Sequence, residues 1–284
     1  MELLRVVCVE LIPIGVLFLY LLFRQWQRRR EGVRPPIQEK LLRPAGYTLQ
    51  CKIDKLNDHV NTLLLIVIAC SVSSGLVFMN RKAMQGSGVL VAALAAVAGV
   101  SIGKIIGSIE QLRSYHLGLL GEQAMGEQLQ TLALQGYRIF HDIPGNGLWN
   151  IDHVAVGSGG IFAIETKCYS KKPSRNGRKD HEAEFNGEVI RFPWGDDAGA
   201  PIQARAAAKW LGNFLSSAVG ERVATQPIVA LPGWYVTLKA NSDLKVLSGK
   251  QVPGYINSMP EILTPKLIQQ IAHQLDQRCR TVEF

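Results

Sequence analysis

Three long apolar runs dominate the first 110 residues, and shorter amphipathic patterns fill the remainder. The first run, "VVCVELIPIGVLFLYLLF" over 6–23, is about long enough to cross a bilayer, although Glu10 and Pro13 weaken it. "RQWQRRR" follows directly, the reverse of a cleavable signal, whose positive charge precedes its apolar stretch. This predicts a retained span with its N-terminus outside; the alternative is a helix lying in the membrane interface. The second run covers 60–79 and the third covers 87–107, with "NRKAMQ" and Gly86 between them. A connection that short predicts an antiparallel helical hairpin. Residues 24–59 carry nine Lys/Arg and the short link carries two, which puts 24–59 in the cytoplasm. The third run is rich in Ala, Gly and Ser, which suits close helix–helix contact and a homo-oligomer built through the spans. "GVSIGK" over 99–104 imitates a phosphate loop, but its spacing is one residue short and it lies inside an apolar run, so it reads as helix.

Beyond residue 110 the pattern is that of a water-soluble domain. Apolar residues at 117, 120, 124, 129 and 132 predict a helix that stops near Gly136. "YRIFHDI" predicts a strand, "PGNGLW" a turn, and "NIDHVAVGSGGIFAIETK" two strands around a Gly/Ser turn. "YSKKPSRNGRKDHEAEFN" reads as a polar loop and "GEVIRFP" as a strand. "PIQARAAAKWLGNFLSSAV" reads as a helix with Pro201 in its first turn. Two more strands, in "QPIVALPGWYV" and "LKVLSG", precede a closing helix in "MPEILTPKLIQQIAHQLDQRC". The expectation is a membrane anchor over 1–110 and a mixed α/β domain over 111–284.

Charge refines this picture. The net +8 divides into +6 over 1–110 and +2 over 111–284. Most of the basic excess therefore flanks the apolar runs and argues little for nucleic acid. The five cysteines, two of them in apolar runs and none in a CxxC, speak against a disulfide framework or a zinc site. The six histidines show no metal-ligand spacing, and HExxH is absent.

The chemistry concentrates in the hairpin. A two-residue turn at Ser158–Gly159 sets Asp152 opposite Glu165 on one sheet face, with Cβ atoms roughly 4.5–5.5 Å apart. Lys167 projects from that face too, and His153 from the other. Opposed carboxylates repel each other, and a hard divalent ion such as Mg²⁺ or Mn²⁺ turns that liability into a site for metal-assisted phosphodiester hydrolysis. The plainer alternative is a surface ion-pair cluster. "KKPSRNGRK" places Lys171, Lys172, Arg175, Arg178 and Lys179 directly after these residues, either as a nucleic-acid contact or as a solvated loop.

"GE" on the first helix, "GYRIFHDI", "NIDHVAVGSGGIFAIETK" and "PIQA" together resemble the nuclease-related domain family (NERD), a branch of the PD-(D/E)xK restriction-endonuclease-like fold. The resemblance covers roughly residues 118–211. It implies a restriction-endonuclease-like mixed sheet flanked by helices, which follows the anchor of about three transmembrane helices read from the apolar runs. It implies that Asp152 and Glu165 ligate the metal and that Lys167 is the catalytic lysine. It also implies an acid from the first helix, with Glu122 favoured by its distance from Asp152 and Glu127 as the alternative. Gln203 matches the family's glutamine on the following helix, where it would contact phosphate or water. Ile151 stands where the named motif has proline. The expectation is a multi-pass protein of the bacterial inner membrane, its nuclease-like domain in the cytoplasm, acting on DNA with Mg²⁺. A tethered module that binds nucleic acid without cutting, or that binds a protein partner, is the alternative.

Overall fold

The computed structural model describes residues 39–79, 87–147, 149–171 and 179–282, together with Tyr20, Phe23, Trp26 and Gln27. Apart from Tyr20 and Phe23, the first apolar run lies outside the described residues, as do Lys172, Arg175 and Arg178 of the basic loop. The chain forms two compact units, one built on Asn61–Ile105 and the other on Lys40–Val60 together with the chain from Ile106 onward.

The first unit consists of the apolar parts of two helices, α1 (Tyr47–Met79) and α2 (Gly88–Ala133). Among the described residues, two helices and not the expected three are long and apolar enough to cross a membrane. Their large side chains face outward: Leu65, Ile68 and Met79 on α1 and Val89, Val100 and Ile102 on α2 are exposed. A helix that is apolar around its circumference yet unburied is matched to lipid rather than to a protein core. Its hydroxyls are satisfied internally: Ser71, Ser74 and Ser101 donate to the carbonyls of Val67, Cys70 and Val97, four residues back. The glycines of the third run make no close contact among the described residues, because a Cβ added at Gly88, Gly99, Gly103 or Gly107 would meet nothing within 4 Å. "GVSIGK" lies in the middle of α2, so the phosphate-loop likeness is helix interior.

The second unit corrects one boundary. Residues 47–59, read from sequence as the end of a basic cytoplasmic connection, are the first turns of α1. Leu49, Ile53 and Leu56 recur at helical spacing and Ile53 is buried; the charges between them hide the pattern. Helix α2 likewise runs unbroken through residues 110 and 111 to Ala133, and Gly136 follows with a positive φ of 85°.

A five-stranded sheet forms the centre, in the order β10 (Lys245–Ser248), β8 (Gln226–Leu231), β4 (Gly160–Thr166), β3 (Asn150–Gly157), β2 (Arg138–Pro144). The β2–β3–β4 part is antiparallel, and β4, β8 and β10 are parallel. Alternation along the strands divides two cores. Val154, Val156, Ile161 and Ala163 pack with Leu211 and Leu215 of α3 (Gly199–Val219) and Ile271 and Leu275 of α5 (Pro265–Cys279). Ala155, Phe162 and Ile164 pack with Met125 and Leu129 of α2 and Val252 and Ile256 of α4 (Gln251–Asn257). A second sheet contains β7 (Gly195–Asp197), β6 (Ile190–Phe192), β5 (Glu182–Phe185) and β9 (Tyr235–Leu238) in that order. Strand β5 corrects the expected loop. Ala183 and Phe185 point inward and Glu182 and Glu184 outward, a short alternation masked by the charged residues before it. Short strands β1 (Leu41–Leu42) and β11 (Arg280–Val282) pair antiparallel.

Candidate active site

The β3–β4 hairpin turns at Ser158–Gly159 as expected, and its register pairs Gly157 with Gly160 and His153 with Ile164. The next positions beyond His153 and Ile164 are Asp152 and Glu165. The backbone N–H of Thr166 donates to Asp152 Oδ2 at 2.8 Å, which ties the first acid to the strand that carries the second. Both acids are buried. Lys167 Nζ donates to Glu165 Oε1 at 2.8 Å and to Gln203 Oε1 at 3.0 Å, so one ammonium joins β4 to the first turns of α3. Helix α3 is oriented there by Asp197, whose Oδ1 accepts from the N–H groups of Gly199 (2.7 Å) and Ala200 (3.2 Å), while its Oδ2 accepts from the Tyr169 hydroxyl at 2.6 Å.

The two first-helix candidates separate clearly. Glu122 is buried against the second unit's interior, whereas Glu127 is exposed. The position of Glu122 depends on its neighbour Gly121: a Cβ there would fall 2.4 Å from Cys168 Cβ, so only glycine lets α2 approach the end of β4 this closely.

Electrostatics bind these residues into one cluster. Burial, then the negative charges of Asp142 and Glu165, push the Glu122 carboxyl up to about 7, partly offset by the N–H of Gly46. Burial, followed by Glu165 and Glu122, holds Asp152 well above the ordinary aspartate range. Burial raises Glu165 too, against the pull of Lys167. Burial opposes the charge on Lys167, but Glu165, then Asp152 and Asp197, hold it above the usual lysine value. It is therefore an ammonium at neutral pH: a donor and a charge, not a base. Glu122 Oε2 and Glu165 Oε2 are buried without a hydrogen-bond partner. Buried carboxylate oxygens that repel each other and lack donors form the kind of all-oxygen set that a hard divalent cation takes. Among the described residues, no group of three His, Cys, Asp or Glu side chains is already gathered as a complete ligand set.

The basic loop is only partly described. Lys171 is exposed, and Lys179 is exposed with its ammonium 3.3 Å from Glu182. His153 is buried, its Nδ1 sharing a hydrogen bond with Nδ1 of His141 at 2.8 Å. Burial foremost holds both imidazoles below the usual histidine range, so the pair stays neutral.

Sequence reading missed Asp142. It is fully buried, has a positive φ of 51°, and interrupts the β2–β3 pairing between His141–His153 and Ile143–Ile151. Its carboxylate accepts from Arg43 Nη1 (2.8 Å), Thr48 N (3.1 Å), Thr48 Oγ1 (2.8 Å) and Asn150 Nδ2 (2.7 Å). It thereby caps the start of α1 from a neighbouring strand, and it adds to the field that raises Glu122. A lone acid inside the apolar "RIFHDI" was the available signal.

The fold and site define a mixed α/β domain with a buried carboxylate–lysine centre at a strand end. Residues 117–232, which include Glu122, Asp152, Glu165, Lys167 and Gln203, match the family model described as NERD, nuclease-related domain. This part of the chain is similar to the nuclease-related domain family, and two helices long and apolar enough to cross a membrane lead into it. No match was found among curated proteins or solved structures.

Proposed function

We propose that the chain is a membrane-anchored, metal-dependent nuclease that hydrolyses phosphodiester bonds, DNA being the favoured substrate. The observation that carries this is Lys167, bonded to both Glu165 and Gln203 beside Asp152, with unpartnered oxygens on Glu165 and Glu122. Asp152 and Glu165 would hold Mg²⁺ or Mn²⁺, with Glu122 supporting it and the shell completed by water or substrate oxygens. The cation would supply charge neutralisation at the scissile phosphate and a more acidic bound water. Lys167, kept protonated by its carboxylates, would orient the attacking water and steady charge developing on phosphate oxygens. Gln203 fixes the ammonium in place. Lys171, Lys172, Arg175, Arg178 and Lys179 would contact the nucleic-acid backbone.

The two apolar helices support tethering in a membrane, for which we propose the bacterial inner membrane with the nuclease-related domain in the cytoplasm. That no three His, Cys, Asp or Glu side chains are gathered as a ligand set among the described residues favours a second reading, a tethered module that binds nucleic acid without cutting it. The purified full chain, incubated with plasmid and linear DNA with and without Mg²⁺, separates the two. The nuclease reading expects Mg²⁺-dependent cutting that Lys167→Ala reduces by at least about a hundredfold, the loss expected on removing one stabilising donor. Equal cutting by Lys167→Ala rejects the mechanism, and Mg²⁺-indifferent retention without cutting supports the second reading.

A further inference from the structure

Two clefts meet at Trp149 and Asn150, in the loop between β2 and β3 and at the start of β3. One, of about 390 Å³, is walled by Trp149, Asn150, Gln203 and Ala206, so it opens against the same glutamine that accepts from Lys167. The other, of about 560 Å³, leads from Trp149 and Asn150 to Arg43, Tyr47, Lys52 and Lys55. The basic residues belong to the segment before and within α1, outside the stretch that matches the nuclease-related domain.

Trp149 is built as a platform. Its indole lies against the backbone of Gly145, where a Cβ would fall 2.4 Å from the ring, and meets Trp210 in a T-shaped pair with centroids 5.0 Å apart. Arg278 clamps the loop by donating to the carbonyls of Pro144 and Gly145 and to Asn146 Oδ1, while its guanidinium covers Trp210 at 4.9 Å and Phe214 at 4.7 Å. Trp149 is nevertheless 38% exposed, a large fraction for a tryptophan held this firmly. Lys52 and Lys55 sit one turn apart on α1, and both are exposed.

A fixed, partly exposed aromatic ring between a pair of exposed lysines and the Lys167 ammonium is what an unstacked polynucleotide strand requires. Intact duplex has no free base face to offer. We propose that the two clefts form a track for a single-stranded polynucleotide, or for the frayed end of a duplex, in which a base stacks on Trp149. Lys52 and Lys55 hold the phosphates on one side of that base, and the backbone on the other side passes to Gln203 and Lys167. This rests on the nuclease reading for its destination, but not for its binding chemistry.

The test measures binding by the full chain in lipid nanodiscs, with EDTA present, to labelled strands of about 12 nucleotides, within the site sizes of single-strand binders. The probes are oligo-deoxythymidine, oligo-uridine, an abasic deoxyribose-phosphate strand and a blunt duplex. Trp149→Ala should weaken binding of the base-bearing strands about ten- to hundredfold and leave the abasic strand unchanged, while Trp149→Phe retains most of the affinity. Binding of either sugar series through Trp149 supports the track. Lys52→Gln with Lys55→Gln should lower the slope of log affinity against log salt by about 1.4 for two lost phosphate contacts. The track is overturned if Trp149→Ala binds oligo-deoxythymidine like the parent, or if the duplex binds as well as the single strand. It is also overturned if the lysine pair alters only partition onto phosphatidylglycerol vesicles. Mg²⁺-dependent cutting with strand binding indifferent to Trp149 would leave the nuclease standing without the track. Trp149-dependent binding without cutting would do the reverse.

Discussion

Replacing Glu122 with glutamine tests whether the buried acids act as one electrostatic unit. Glutamine keeps an oxygen that can accept from Gly46 N–H and removes the charge that Asp142 and Glu165 repel. In the folded chain the carboxyl is pushed from 4.5 up to about 7, chiefly by burial and then by those two acids. A raised folded value means that the folded state binds the proton more tightly than the unfolded chain does. The stabilisation is complete below 4.5 and is lost as pH climbs through 7. At 1.36 kcal/mol per decade the loss is about 3 kcal/mol between pH 4 and pH 8. Asp152 and Glu165 are raised too and act in the same direction, so some pH dependence should survive the substitution. Urea unfolding of the full chain in detergent and EDTA, followed by tryptophan fluorescence, reads this directly. Four of the five tryptophans (Trp149, Trp194, Trp210, Trp234) lie in the second unit. With a slope of about 1–3 kcal/mol per molar urea, the Glu122 contribution should lower the parent midpoint by about 1–3 M over that range, and Glu122→Gln should remove that part of the fall. Millimolar Mg²⁺ should raise the parent midpoint at pH 8 more than that of the variant. Superimposable curves of midpoint against pH for the two proteins would refute the coupling.

Other expectations follow from the same geometry. Asp142→Asn replaces a carboxylate that accepts four hydrogen bonds and neutralises Arg43, so it should destabilise the second unit by about 3–5 kcal/mol in the same urea assay, and a loss under 1 kcal/mol would show that the network matters little. Gly121→Ala forces a methyl into Cys168; a cost of about 1–3 kcal/mol is expected, together with reduced Mg²⁺-dependent cutting as Glu122 is displaced, and full activity would speak against Glu122 as part of the site. Neutralising Lys171, Lys172, Arg175, Arg178 and Lys179 together should flatten the salt dependence of DNA binding, and an unchanged slope would remove the loop from the interface.

Much of this site could be read from local pattern. Side chains alternate along a strand, and a Gly/Ser turn of two residues admits one simple register, so the pairing that brings Asp152 toward Glu165 followed from "NIDHVAVGSGGIFAIETK" alone. Apolar runs of about twenty residues likewise announce helices long and apolar enough to cross a membrane, because length and composition alone set that property. What depends on contacts between distant segments was out of reach. Nothing near Glu122 and Glu127 says which of them is buried; that is decided by Gly121 meeting Cys168 and by the chain around Gly46 returning to α2. Nothing in "RIFHDI" says that its acid caps a helix that starts 95 residues earlier in the chain. Nor does "PGNGLW" disclose that its tryptophan is held by Arg278 and lies between Gln203 and two lysines of α1. Local order follows from short-range sterics and periodicity, which a sequence carries openly. Burial, field and cleft arise from which distant surfaces exclude water together, and only the folded chain sets that.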